Sequence, residues 1–422
     1  MKVVFVHPSH PNQFTQIAQG LAEIAGWACA CLVRDEFAES VRRDQPSIAY
    51  YGYRESATAL SGNYISQCLE EGIRCGQAAA EALRHIRGSA GVDVVVGHAS
   101  FGSTFFARQL LGVPVVAYVE LPGYYPVFAR DDFPAQAPQA MMDAALRALI
   151  HGSVLDADLC VVPSRHAKRL FPRELQPKVR VQAEGFALPH LPADKRALRR
   201  ELGMDETAPL IGFAGRTLEA VRGFDIFYRA ASAIHHARPD ARFLVIGDEA
   251  TIYGNELSYL DGKSFKQHVL AAGALPDQAF RFKPFLAHES FIKHVQALDV
   301  ILFPLFEGAG NWALFDAMAA GVPVLASNRC FVPEVITDKC DGLLFDPEDV
   351  EGFAGAVLKL LAQPQRLAAL GLRGREKIAR RFSLDKAVQG YRAIIQQAVA
   401  RAKHLGTTRM GSRATVSAMR VA

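Results

Sequence analysis

Short apolar runs alternate with helical periodicity along nearly the whole chain. Val3-Val4-Phe5-Val6 reads as a strand, and Phe14, Ile17, Leu21 and Ile24 then recur at helical spacing. Further strands are predicted over Cys29–Val33, Val92–Val96, Val113–Val119, Leu159–Val162 and Val179–Ala183. Each is short and continuously apolar, the pattern of a strand covered on both faces in a parallel sheet. The rhythm breaks between Leu188 and Pro209, where Pro189, Pro192 and Pro209 surround the charged segment Asp194–Glu201; this reads as a linker carrying one short helix. It resumes with strands over Leu210–Ala214, Arg242–Ile246, Phe280–Phe282, Val300–Phe303, Val322–Ala326 and Gly342–Phe345. Helices are predicted over Pro347–Leu361, Gln365–Phe382 and Leu384–Ala402. The β-α alternation predicts two α/β domains, each a doubly wound parallel sheet: residues 1–187 and 188–383. A helix over 384–402 is expected to cross back to the first domain, and 403–422 is expected to be a disordered tail.

Composition narrows the function classes. At 422 residues, half of them hydrophobic and 21% charged, the chain is globular and long enough for two cores. A formal net charge of +4 is far from the dense positive field of a nucleic-acid binder, and no nucleic-acid partner is expected. The seven cysteines are scattered with no C-x-x-C pair, so neither a zinc site nor a disulfide framework is indicated, and a reducing, cytoplasmic setting is expected. Met1 to His7 lacks the features of a secretory leader, and no stretch reaches the roughly 18 apolar residues of a spanning helix. The tail carries Lys403, Arg409, Arg413 and Arg420 and no acidic residue. It offers a peripheral contact to acidic lipid at the inner face of a membrane, or is simply solvated.

Ligands of open α/β sheets bind outside the carboxyl ends of the strands, which directs attention to the residues just after each strand. Ile211 to Gly215 leads into Arg216, and Arg222-Gly223 precedes a helix. Two guanidinium groups in such a loop can grip a phosphate through paired N–H donors; the alternative is ordinary surface charge. Phe303-Pro304-Leu305-Phe306-Glu307 is followed by Gly308-Ala309-Gly310-Asn311 and a helix from Trp312 to Ala320. A glycine-containing loop at a helix start presents backbone N–H groups to an anion. Glu307 and Asp316 are placed to accept hydrogen bonds from hydroxyl groups of the same ligand. Phosphate on N–H donors and sugar hydroxyls on carboxylates together describe a nucleotide-sugar site.

At this point the sequence resembles a known family. Glu307 to Pro323, with Asp316-Ala317-Met318-Ala319-Ala320-Gly321-Val322-Pro323, is similar to the donor-site signature of family 4 retaining glycosyltransferases, as is Gly215-Arg216 with Arg222-Gly223. A bacterial branch of that family is closer still. It shares His7-Pro8-Ser9-His10-Pro11-Asn12-Gln13-Phe14, Arg222-Gly223-Phe224, Gly247-Asp248-Glu249 with Tyr253-Gly254, and Trp312. The resemblance covers nearly all of the chain to about residue 400. It implies the GT-B fold, two Rossmann-like domains facing each other across a cleft. It implies that Arg216 and Arg222 bind the donor diphosphate, that Glu307 contacts the transferred sugar, and that Asp316 contacts the ribose; the backbone N–H groups near Gly310, Asn311 and Trp312 are expected to serve the same diphosphate. The family usually separates its two carboxylates by seven residues; here eight lie between Glu307 and Asp316, and the second is aspartate.

The first half supplies candidates for the acceptor side: His7, His10, Asn12 and Gln13 after the first strand, and Glu120 after Val113–Val119. Glu120 reads as a base, a ligand for an acceptor hydroxyl, or a loop carboxylate. The resemblance implies that His98, ending Val94-Val95-Val96-Gly97-His98, hydrogen-bonds the sugar hydroxyl at C6; the alternative is a local backbone bond. Asp156-Ala157-Asp158 precedes a strand and is read as a turn, not as a metal site; no metal or other cofactor is expected, the nucleotide sugar being a co-substrate. The expected function is transfer of a hexose from a UDP- or GDP-sugar to a hydroxyl of a sugar, a lipid-linked glycan or a small molecule. An epimerase or hydrolase on the same fold, or a non-catalytic nucleotide-sugar binder, are the alternatives. A Rossmann dehydrogenase is disfavoured because no G-x-G-x-x-G follows the first strand.

Overall fold

The computed structural model describes residues 1–43, 47–57, 60, 63–273 and 277–418. The chain forms two compact units. The first comprises Met1–Gly123, Met141–Gly185 and the segment from Leu384 onward; the second comprises Tyr124–Ala140 and Phe186–Ser383.

The first unit holds seven strands: β1 (Lys2–Val6), β2 (Ala28–Arg34), β3 (Ala49–Tyr53), β4 (Val94–His98), β5 (Val115–Tyr118), β6 (Leu159–Val162) and β7 (Val179–Val181). All pair in parallel, in the order β3-β2-β1-β4-β5-β6-β7. Strand β3 has no counterpart in the apolar pattern. Its sequence, Ala-Tyr-Tyr-Gly-Tyr, lies at the sheet edge and is only partly buried, so it lacks the continuous aliphatic run of a central strand. One face of the sheet packs on the helix Thr15–Ala22 and on the long helix Leu384–Ala418, which contributes Ala387, Val388, Tyr391, Ile394, Ile395 and Ala398 to the core. Gly20 allows that approach: a Cβ there would stand 2.6 Å from a Val388 methyl. The helix predicted to end at Ala402 continues to Ala418, since no proline interrupts that stretch. Residues 419–422 of the expected tail lie outside the described residues.

The second unit holds six parallel strands: β8 (Leu210–Thr217), β9 (Arg242–Asp248), β10 (Phe280–Lys283), β11 (Val300–Phe303), β12 (Val324–Ser327) and β13 (Leu343–Phe345), in the order β10-β9-β8-β11-β12-β13. Side chains alternate strictly between two cores. Phe213, Phe243, Val245, Val300 and Leu302 join one, while Ala214, Leu244, Ile246, Ile301 and Phe303 join the other. Helices cover both faces, which is why these strands carry so few polar residues.

A buried ion pair ties the helix Pro364–Arg381 to the loop before β13. Lys377 Nζ donates to Asp341 Oδ2 at 2.6 Å and to Thr337 Oγ1 at 2.7 Å, and both charged side chains are almost fully buried. Removing one partner strands the other charge in the core. We predict that Lys377→Ala lowers unfolding stability by about 3–5 kcal/mol, read from the urea midpoint.

Candidate active site

In each sheet the strand order reverses beside the first strand: β1 lies between β2 and β4, and β8 between β9 and β11. Such a switch point opens a crevice at the carboxyl ends of the strands. The candidate residues of both halves fall at these two places.

In the second unit β8 does not stop at Ala214. It continues through Gly215-Arg216 to Thr217, and its register against β9 slips, Ala214 pairing with Ile246 and Thr217 with Asp248. The bulge gives β8 one extra residue there, the local device by which a strand re-aims a side chain. Arg216 sits on it, exposed, with no ion pair or side-chain hydrogen bond among the described residues. The turn that follows is built on Glu219, which is fully buried. Glu219 Oε2 accepts from Thr217 Oγ1 at 2.7 Å and from Arg222 Nε at 3.3 Å, and Oε1 accepts from the amides of Tyr253, at 2.7 Å, and Ile252. Arg222 is thereby held over the Tyr253 ring, 5.6 Å from its centroid. A second buried carboxylate, Glu256, accepts from the Ala220 amide at 3.2 Å and from Thr251 Oγ1 at 3.3 Å; burial raises its pKa, with the Glu219 charge adding to the effect.

The turn abuts the loop after β11. The Phe306 amide donates to Val221 O at 2.9 Å. Gly223 is in the left-handed region (φ 70°), and a Cβ on it would lie 2.1 Å from the Pro304 carbonyl oxygen, so only glycine fits. Glu307 lines a cavity of about 410 Å³ together with Phe306, Arg329, Cys330, Glu348 and residues of the Tyr124–Ala140 segment. Burial, with the Glu307 carboxylate next in effect, pushes the Cys330 thiol up to about 12. Gly310 is exposed, and Asn311 caps the helix Trp312–Ala319 by accepting from the Leu314 amide at 3.2 Å. Trp312 is exposed at the first turn. Asp316 is not among the residues lining the Glu307 cavity. It is buried one helix turn on and accepts from His288 Nε2 at 3.1 Å, a bond that raises the His288 pKa.

In the first unit the switch point gathers His7 and His98, whose rings are 5.4 Å apart. Burial lowers the His7 pKa to about 4, and lowers that of His98 well below its usual value, with His7 adding to the effect. Both rings are therefore neutral near pH 7. His7 Nδ1 takes the Ser9 amide at 3.0 Å, whereas His98 Nδ1 is buried with no hydrogen-bond partner among the described residues. Gln13 Nε2 donates to Glu120 Oε1 at 2.8 Å, joining the loops after β1 and β5. Asn12 shapes its own loop, donating to Ser9 O at 2.6 Å and accepting from the Phe14 amide at 2.9 Å. His10 packs edge-on against Tyr50. In the Asp-Ala-Asp turn, Asp158 accepts from the Val115 amide at 2.9 Å and from Arg108, and Asp156 accepts from Gln109, so both carboxylates brace the fold.

Sequence reasoning passed over Glu219, His288 and Arg130. The last lies in Ala129-Arg130-Asp131-Asp132-Phe133-Pro134, a charged, proline-bearing stretch that reads only as a loop. Glu219, three residues before Arg222, gave a local hint of an ion pair.

Solved structures share this architecture. Sucrose-phosphate synthase from Thermosynechococcus elongatus superposes with a TM-score of 0.70 over 95% of this chain and 99% of that one, at 17% identity. Anabaena HepE in complex with UDP and glucose gives 0.69 over 94% and 99%, at 16% identity. The fold is GT-B. Two family models divide the chain between them, the glycosyl transferase family 4 group over residues 25–190 and glycosyl transferases group 1 over residues 208–363. The chain belongs to the family 4 glycosyltransferases. A D-inositol 3-phosphate glycosyltransferase of Segniliparus rotundus is 29% identical over 49% of this chain and 44% of its own. A GDP-mannose-dependent monoacylated alpha-(1-6)-phosphatidylinositol monomannoside mannosyltransferase of Corynebacterium glutamicum is 30% identical over 47% and 49%. The chain spans about half the length of the curated relatives it matches. No helix among the described residues is long and apolar enough to cross a membrane.

Two predictions follow from these contacts. Gly223→Ala forces a left-handed alanine against Pro304 and costs about 1–3 kcal/mol, seen as a lower melting temperature. His288, with its pKa raised above 6.5 in the folded protein, contributes stability that is complete below pH 6.5 and fades as pH rises through the folded value. An NMR titration should place the imidazole midpoint above 6.5 in the wild type and return it towards 6.5 in Asp316→Asn.

Proposed function

We propose that this protein transfers a hexosyl group from a nucleotide sugar to an acceptor hydroxyl, with the second unit holding the donor. The observation that carries this reading is the convergence, at the switch point of β8 and β11, of the bulge bearing Arg216, the turn bearing Arg222 and the loop bearing Glu307, within a chain of the family 4 glycosyltransferases. Arg216 and Arg222 receive the diphosphate, and their charge stabilises it as it departs. Glu307 accepts hydrogen bonds from the sugar and orients the ring as it gains oxocarbenium character. The bond from the anomeric carbon to the diphosphate oxygen breaks, and the acceptor oxygen bonds to that carbon. With retention, the leaving diphosphate lies on the side of attack and takes the acceptor proton. This reading assigns no step to a metal ion, the two arginines carrying the counter-charge.

Acceptor recognition falls to the first unit, where the Gln13–Glu120 pair and the neutral imidazoles of His7 and His98 are suited to hydroxyl groups. The donor class is a UDP- or GDP-hexose. The GDP-mannose in the name of the Corynebacterium relative and the UDP and glucose bound to HepE support that range. The inositol-based acceptors in the relatives' names support a polyol or sugar acceptor.

A thermal-shift panel of UDP-, GDP- and ADP-sugars tests the donor assignment. A ligand at a hundred times its Kd stabilises by about 2.7 kcal/mol, an easily read upward shift. We predict that Arg216→Ala and Arg222→Ala each lose most of that shift while Glu307→Gln retains the response to the free nucleoside diphosphate. A wild-type response in both arginine variants would overturn the phosphate assignment.

A further inference from the structure

The segment Tyr124–Ala140 leaves the first unit after Gly123 and lies entirely on the second. Aromatic and polar contacts hold it there. Tyr124 and Phe128 pack on the Tyr253 ring, with centroids 6.3 and 5.4 Å away, the Tyr125 carbonyl accepts from Asn255 Nδ2 at 3.1 Å, and the Pro134 carbonyl accepts from the Tyr259 hydroxyl at 2.7 Å. Its centre is Arg130, which is buried. One edge of this guanidinium meets Asp225 in a fork, Nη1 to Oδ1 at 2.9 Å and Nη2 to Oδ2 at 3.0 Å, and another meets Asp132 through Nε at 3.0 Å and Nη2 at 2.8 Å. Nη1 also donates to the Ala220 carbonyl at 2.8 Å, in the turn that carries Arg222. The flat face of the same group lies 4.2 Å from the centroid of Phe306, the residue before Glu307.

One rigid plane therefore touches both loops assigned to the donor. A guanidinium can do this because its donors lie in the plane while its faces remain free for an aromatic ring. We infer that Arg130 is a positioning residue that registers the Glu307 loop against the Arg222 turn, so that the diphosphate and the sugar of one donor are bound in the correct relation. The inference rests on the donor-site reading given above. Arg130 itself has its donors committed to Asp225, Asp132 and Ala220, and acts through its neighbours. Lysine, with a compact ammonium and no planar face, cannot reproduce the fork and the ring contact together.

The test separates diphosphate binding from sugar binding. Calorimetric titration of the full chain with UDP, UDP-glucose, GDP and GDP-mannose gives the gain in affinity contributed by the sugar within each pair. In Arg130→Lys and Arg130→Ala, that gain is expected to fall about tenfold, or about 1.4 kcal/mol, with a smaller loss for the free diphosphate. In the Glu307→Ala background the further change of Arg130 should have little effect on the gain, because the two residues act on the same interaction. Asp225→Asn, which keeps the shape of the carboxylate but halves the charge-assisted fork, provides a milder variant should Arg130→Ala fail to fold, and is expected to shift the sugar gain in the same direction. An unchanged sugar gain in correctly folded Arg130→Lys and Asp225→Asn, or additive losses in the double variant, would overturn the role of Arg130. Failure of the wild type to bind any of the four ligands would instead overturn the donor-site reading.

Discussion

A carboxylate removed from water is stable only where donors surround it, and the candidate donor site is assembled around one, Glu219. A hydroxyl, a guanidinium and two backbone amides converge on it from two stretches of chain, the turn at 217–222 and the pair Ile252-Tyr253. The arrangement is demanding, since losing a donor would leave charge in a dry interior. It is also what fixes the loops after β8 and β9 relative to each other and presets Arg222 before any ligand arrives. Glu256, packed in the same region, is a second buried carboxylate, and burial, with the Glu219 charge beside it, drives it towards its protonated form.

Pre-setting matters energetically because a side chain already confined by its neighbours loses less rotamer freedom on binding. Arg222 is confined by Glu219 and Tyr253, while Arg216 extends from its bulge into solvent. The two arginines therefore differ: the Arg222 side chain is fixed in advance by its neighbours, and that of Arg216 is not. The first unit shows a similar division. Asn12 and Asp158 are spent on backbone amides, whereas His98 keeps a buried nitrogen uncommitted.

The parts of the fold legible in the sequence were those set by local patterning. Strands such as β6 and β11, covered on both faces, must be continuously apolar, and they stood out; the edge strand β3 obeys a weaker rule and did not. The loops bearing Arg216, Arg222 and Glu307 were singled out because ligand sites of parallel sheets lie after strands, and the structure brings the Arg222 turn against the loop before Glu307. The bulge in β8 was invisible, since it is defined by pairing with β9 and not by any residue within it. Arg130 escaped for a related reason: its partners Ala220 and Asp225 lie some ninety positions away, and no periodicity in Ala129–Pro134 encodes them. Asp316 was read beside Glu307, and its contact with His288, twenty-eight positions earlier, is set by tertiary packing that no local pattern encodes.

Neither unit is a continuous stretch of polypeptide. The chain passes from one to the other at 123/124, 140/141, 185/186 and 383/384. A ribosome delivers residues in order, so the first sheet must wait, with part of its apolar face uncovered, until Tyr391 and its neighbours emerge after the whole second unit has been made. Assembly of this protein is thus an interleaved event in which the earliest strands are the last to be sealed.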